Sequence, residues 1–198
     1  MKRVKLTLDK DFPGMLRLPL AAYQLKITLR DIDPPIWRRV VVPSDIRLGK
    51  LHSTLQDTMG WTNSHLHEFV IGPDHYGVKD PDSPETKPEA RVVLEDVLPE
   101  EGCEFTYRYD FGDGWEHDVV VEKIGPWKRG QRGSLCLEGA RACPPEDVGG
   151  PHGYEELVNS MRGPDTEERR EFIQWLGREF DPEAFSTKEV NACLRLRG

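Results

Sequence analysis

Residues 104–124 read Glu-Phe-Thr-Tyr-Arg-Tyr-Asp-Phe-Gly-Asp-Gly-Trp-Glu-His-Asp-Val-Val-Val-Glu-Lys-Ile. Phe105, Tyr107 and Tyr109 alternate with Glu104, Thr106 and Arg108, and a second β-like run extends from Trp115 to Ile124. A period of two is the pattern of a strand that buries one face. Between the runs, Asp110-Phe111-Gly112-Asp113-Gly114 supplies glycines that take positive φ without steric penalty. The stretch therefore predicts a β-hairpin with an irregular, bulged loop.

Outward from this hairpin the same period recurs. Tyr23, Leu25, Ile27 and Leu29 alternate with Gln24, Lys26, Thr28 and Arg30, Asp33-Pro34-Pro35 forces a turn, and Ile36 to Val42 returns as a second strand. Ser44 or Asp45 is expected to cap a helix with Leu48, Leu51, Leu55 and Met59 on one stripe and Gly60 at its left-handed end. Residues 65–71 read as a strand closed by Gly72-Pro73. Residues 79–104 carry nine acids against three bases, which predicts an exposed excursion with a short ordered piece at Val92 to Val97. Trp127 to Gly133 reads as a short basic connection and Cys136 to Pro151 as a Gly- and Pro-rich stretch with little regular structure. Helices are expected through Tyr154, Leu157, Val158 and Met161, then through Phe172, Ile173, Leu176 and Phe180 behind an Asp165 or Thr166 cap. A last helix runs to Leu194 behind a Ser186/Glu189 capping box. Strands come first and helices last, without βαβ alternation. The class is α+β, a single domain over residues 21–198 with a mainly antiparallel sheet, one early helix and a C-terminal helical segment; residues 1–20 form an N-terminal arm or strand.

The chain has 198 residues and 22.7 kDa, with 27 Lys+Arg against 35 Asp+Glu and a net charge of -8. An acidic surface of this kind disfavours broad nucleic-acid contact, because each phosphate must be met by Lys or Arg. Six of the eight excess charges fall in residues 79–104, so a local anion contact elsewhere stays open. No apolar run is long enough for a membrane span, and the start lacks a secretory apolar core. Cys103, Cys136, Cys143 and Cys193 form no CxxC pair. Reduced thiols and a cytoplasmic location, without a membrane partner, are expected.

His65 and His67 are two apart on the expected strand and so project to one face. With Asp110 and His117 they make a candidate divalent-metal set, and Glu68 or Glu116 would then be a general base for hydrolysis. The structural alternative is that Asp110 and Asp113 hold the turn through bonds to backbone amides while His67 and His117 are buried and hydrogen-bonded. Cys136, Cys143 and His152 have spacings that match no compact zinc knuckle. Nucleic acid would have to use Trp127 with Lys128, Arg129 and Arg132, or Trp37 with Arg38 and Arg39, and each cluster is small.

Several strings together are more specific than any of these motifs. They are Pro34-Pro35-Ile36-Trp37-Arg38-Arg39, Leu51-His52, Gly60-Trp61, His65-Leu66-His67-Glu68-Phe69, the run from Tyr109 to His117, Cys143-Pro144-Pro145-Glu146-Asp147 with Gly149-Gly150 and Gly153-Tyr154, and Phe180-Asp181-Pro182 to Phe185. On these the chain resembles the plasmid pRiA4b ORF-three-like family, some members of which are labelled transposon-resolvase-like or insertion-element passenger proteins. The resemblance spans about residues 21–196 and implies one α+β domain, with no established substrate or catalytic residue. The family pattern places a cysteine before the paired glycines, where this chain has Val148. The expectation for function is a binding or adaptor module associated with plasmids or mobile elements. Its groove would be lined by Trp61, His65, His67, Asp110, Asp113, Trp115, Glu116, His117, Glu146 and Asp147, for an unidentified protein or small ligand and with no cofactor. The alternatives are the metal-dependent hydrolase above and a nucleic-acid accessory protein.

Overall fold

The computed structural model describes residues 20–79, 85–128 and 130–196, together with the backbone of two short strands, β1 (Thr7–Leu8) and β2 (Leu16–Arg17), which pair with each other. The rest of the expected N-terminal arm lies outside the described residues. Eight further strands make one sheet: β3 (Ala21–Leu29), β4 (Trp37–Pro43), β5 (His67–Ile71), β6 (Asp74–Gly77), β7 (Lys87–Pro88), β8 (Glu104–Tyr109), β9 (Trp115–Pro126) and β10 (Leu135–Ala140). Their order is β10-β4-β3-β9-β8-β5-β6-β7, antiparallel except for the β6–β7 edge pair. Among the described residues there are also five α-helices, α1 (Leu48–Met59), α2 (Leu94–Val97), α3 (Gly150–Arg162), α4 (Glu167–Leu176) and α5 (Thr187–Leu196), and a 3-10 turn at Glu89–Arg91.

The sheet buries one face. Tyr23, Leu25, Ile27, Leu29, Val40, Val42, Phe69, Phe105, Tyr107, Tyr109, Trp115, Val119 and Val121 point inward and meet Leu48, Leu51, Leu55 and Met59 of α1 in one core. Residues of the opposite parity face outward and are laced by ion pairs. Arg30 contacts Glu116 and Asp118, Arg108 contacts Glu68 and Glu116, and Arg39 contacts Glu122 and Glu138. Exposed pairs of this type add little stability individually, and their role is to keep the open face soluble.

Local expectations fail where tertiary contact competes with them. α1 begins after Arg47, whose side chain makes no cap. Ser44 and Asp45 instead lie in the preceding turn, where the Ser44 amide donates to Ala21 O and Arg47 bridges to Val93. The acidic segment is anchored rather than wholly exposed: Glu89, Leu94 and Leu98 are buried, and Glu89 Oε2 lies 2.8 Å from His67 Nε2. The stretch from Cys136 is an edge strand, because its amides find the free side of β4 despite its glycine. The expected Thr166 and Ser186 caps are present, accepting from the amides of Arg169 and Glu189.

Arg38 is buried on the core side of β4 and donates to the carbonyls of Trp37, Thr58, Ala140 and Arg141, with its guanidinium 4.4 Å from the Phe185 ring centroid. It ties three chain segments together and is unavailable to a phosphate. Arg39 is engaged by Glu122 and Glu138, so the Trp37 cluster offers no free cation. Arg129 of the other cluster lies outside the described residues.

Three imidazoles are buried in the interior, those of His52, His67 and His117. His117 is fully buried, its Nδ1 3.1 Å from Tyr107 O, and burial pushes its pKa down to about 4. His52 stacks on His67 with ring centroids 3.4 Å apart and is also pushed down to about 4, first by burial and then by the neighbouring imidazole. The unfolded chain therefore binds protons near pH 6.5 that the native state refuses. Stability is complete above that pH and falls as the pH drops towards 4, by about 1.4 kcal/mol per pH unit for His117, with His52 acting in the same direction. Urea midpoints measured from pH 7 to pH 4.5 should decline through this window, with a shallower decline in a folded His117→Gln variant.

Candidate functional site

The site forms where the sheet ends at the β8–β9 turn. Tyr109 pairs with Trp115 across the hairpin, and the five residues between them close it with Gly114 N donating to Asp110 O at 2.7 Å. Asp110 has a left-handed backbone, φ 55, a conformation that Asp tolerates because its short side chain bonds locally. Its Oδ1 accepts from the amides of Gly112 and Asp113 at 3.0 and 3.3 Å, so one oxygen holds the turn. The other, Oδ2, faces His65 Nε2 at 3.5 Å. Asp110 N also donates to Leu66 O, which fixes the turn beside the segment entering β5.

A second loop closes over this corner. Trp61 Nε1 donates to Pro144 O, the Tyr109 hydroxyl lies 3.1 Å from both carboxylate oxygens of Glu146, and Gly149 N donates to Asp113 Oδ2. Glu146 Oε1 also accepts from the amide and hydroxyl of Thr62. Desolvation first, and then the Glu146 charge, raise the Tyr109 pKa to about 12, so the phenol stays protonated as the donor. The packing is close enough that a Cβ on Gly150 would sit 2.4 Å from Asp113 O.

His65 Nε2 thus lies 3.1 Å from Asp147 Oδ1 and 3.5 Å from both Asp110 Oδ2 and Glu146 Oε2. None of these contacts has hydrogen-bond geometry, and the buried nitrogen is left without a hydrogen-bond partner. His65, Asp110 and Asp147 offer ligand atoms within 4.8 Å of one another, the one such group among the described residues.

The other expected groove residues have different places. The strand expected from residue 65 begins at His67, so His65 lies in the irregular entry to β5, whereas His67 lies on the sheet where His52 and Glu89 enclose it. His117 is sealed against Trp61 and Tyr107, so neither imidazole reaches Asp110 as a shared ligand set. Trp115 is core, Trp61 stacks on Tyr109 at 4.9 Å, and Asp113 is spent on the Gly149 amide. Glu68 and Glu116 have the outward parity and pair with Arg108, His75 and Arg30. They face away from the site and cannot act as its base. Cys136 and Cys143 are free thiols, with burial raising the Cys143 pKa to about 12, while His152 sits exposed on α3 beside Glu156. Tyr109 and Thr62, which position Glu146, carried no polar signal in the sequence, since alternation marked Tyr109 only as a core residue.

These features define a class: an α+β domain whose sheet, covered on one face, holds a histidine and three carboxylates at its end. The chain belongs to the plasmid pRiA4b ORF-3-like protein family, which matches residues 21–189. It is 42% identical over 174 residues to the uncharacterized protein y4hQ of Sinorhizobium fredii, covering 86% of this chain and 89% of the relative. It is also similar to the crystal structure of the protein of unknown function MM3350 from Methanosarcina mazei Go1, with a TM-score of 0.77 and 38% identity, covering 86% of this chain and 97% of that one. No helix among the described residues is long and apolar enough to cross a membrane.

The Gly150 contact makes the joint between the loop and the hairpin testable. Gly150→Ala places a methyl group against the Asp113 carbonyl at a residue with φ 71 and should cost about 3 kcal/mol or more by urea unfolding. A loss under about 1 kcal/mol would show that the loop gives way without consequence.

Proposed function

We propose that the corner at His65 holds a divalent cation and that the protein binds its ligand through it. The observation supporting this reading is the unpartnered His65 Nε2 facing carboxylate oxygens of Asp110, Glu146 and Asp147 at 3.1 to 3.5 Å. Donor atoms about 2.1 Å from a common ion lie roughly 3.0 Å apart along an octahedral edge and roughly 3.4 Å apart in a tetrahedron, and the His65–Asp147 and His65–Asp110 separations of 3.1 and 3.5 Å suit such an ion. Asp110 and Asp147, with Glu146 beside them, concentrate carboxylate charge that a dication would offset. One nitrogen among oxygens suits Mn²⁺ or Zn²⁺ better than Ca²⁺, which prefers oxygen alone. This differs from the set read along the strand, because Asp147 takes the place of His67 and His117 while Glu146 stands beside the ligands. The four free thiols support a reducing, cytoplasmic setting.

Glu146 gives the same corner a second reading as a metal-dependent hydrolase. Thr62 and Tyr109 hold the carboxylate in place, which leaves Oε2 beside the ion position to accept a proton from an attacking water.

Protein purified without chelator should contain about one equivalent of Mn²⁺ or Zn²⁺, or take it up in calorimetry. Asp147→Asn keeps a residue that tolerates the left-handed backbone (φ 59) and should weaken binding about tenfold or more, as should His65→Ala. Metal-free protein that gives no heat with either ion would overturn the reading. If the site is hydrolytic, Glu146→Gln should retain the ion while losing metal-dependent turnover of chromogenic esters or phosphoesters.

A further inference from the structure

Asp147 also lines a cleft of about 400 Å³ between its own loop and α4, whose other walls are Val148, Glu168, Glu171, Phe172 and Trp175. No residue of α4 is buried, and the Trp175 ring is half exposed. Glu168 and Glu171 are three apart on one helix face, where like charges repel. Neither has an ion-pair partner among the described residues. The cations nearest in sequence are turned elsewhere: Arg169 donates to Gly163 O and Glu179, and Arg170 to Asp165.

From this geometry we infer that the cleft takes a guanidinium or ammonium group on an aliphatic stem, presented as an arginine or lysine side chain of a polypeptide. The inference rests on the reading of the His65 corner as the binding site, since Asp147 belongs to both. A carboxylate pair supplies charge-assisted hydrogen bonds to the cationic head, while Phe172 and Trp175 offer apolar contact to the stem and π-faces to the charge. The cleft is larger than a single basic side chain needs, which leaves room for flanking peptide backbone. That backbone lies within reach of the His65 corner, where a carbonyl or carboxylate oxygen of the peptide would meet the cation. The chain's net charge of -8 adds long-range attraction for a basic ligand.

The test uses the full chain, loaded with Mn²⁺, and the acetylated tripeptide amide Gly-Arg-Gly beside the same peptide with neutral, isosteric citrulline. Calorimetry should show the arginine peptide binding about tenfold or more tightly. Its binding should change tryptophan emission in the wild type and not in Trp175→Phe, and the preference should vanish in the surface double variant Glu168→Gln/Glu171→Gln. Equal binding of both peptides, no binding of either, or a preference that survives the double variant would overturn the assignment. Agmatine binding more tightly than the arginine peptide would overturn the polypeptide source. His65→Ala separates the two readings. A preference kept without bound metal leaves the cleft standing when the metal centre fails, whereas metal bound with no preference removes the cleft alone.

Discussion

The register of the β8–β9 hairpin is the constraint on which the remaining structure depends. Side chains in a strand alternate strictly, so a slip of one residue would expose Tyr107, Tyr109, Trp115 and His117 and bury Arg108 and Glu116. The five-residue turn from Asp110 to Gly114 fixes that register, with Tyr109 opposite Trp115 and Tyr107 opposite His117. β9 then serves as the template for β3, and β8 as the template for β5. The one-sided burial of the whole sheet follows from this pairing, as does its ion-paired outer face.

The buried polar groups show how the core accommodates chemistry without dissolving. Tyr107 OH receives Gln56 Nε2 and meets His52 Nδ1 at 2.7 Å, while His52 Nε2 lies 2.6 Å from Asn63 Oδ1. His67 beside Glu89 extends this network to the acidic segment and pins it to the sheet. Arg38 does the same at the other end, spreading one cation over four carbonyls. Such groups are tolerated in a low-dielectric interior because partners replace the lost water, and removing one partner would strand the other. His117 Nε2 departs from this rule, buried without a hydrogen-bond partner, as does His65 Nε2.

The corner at His65 follows a different rule. Its components come from the entry to β5, the hairpin turn and the 144–150 loop, and it forms because the loop can approach the turn at Gly150 without a side chain in the way. Two of the carboxylates are positioned by hydrogen bonds from the surrounding chain. Asp110 spends one oxygen on the turn, and Glu146 is steadied by Thr62 and Tyr109. Asp110 Oδ2, Glu146 Oε2 and Asp147 Oδ1 all lie within 3.5 Å of the His65 Nε2 atom.

Much of the architecture was legible in the sequence. Alternation from Tyr23 to Leu29 and through the hairpin identified the strands and their buried faces, and Leu48, Leu51, Leu55 and Met59 identified α1, because burial on one face writes a period into the chain. The same reasoning missed the β10 edge strand and the Arg47 start of α1, since edge pairing and chain entry are decided by the neighbours that supply hydrogen-bond partners. For the site, the sequence brought forward His65, Asp110, Glu146 and Asp147 as groove residues but could not separate them from His67 and His117. Only the tertiary structure did so: β5 starts at His67, which α1 covers, while His65 lies in the segment entering the strand at the open sheet end, and exposure on that scale is set by what packs above the chain.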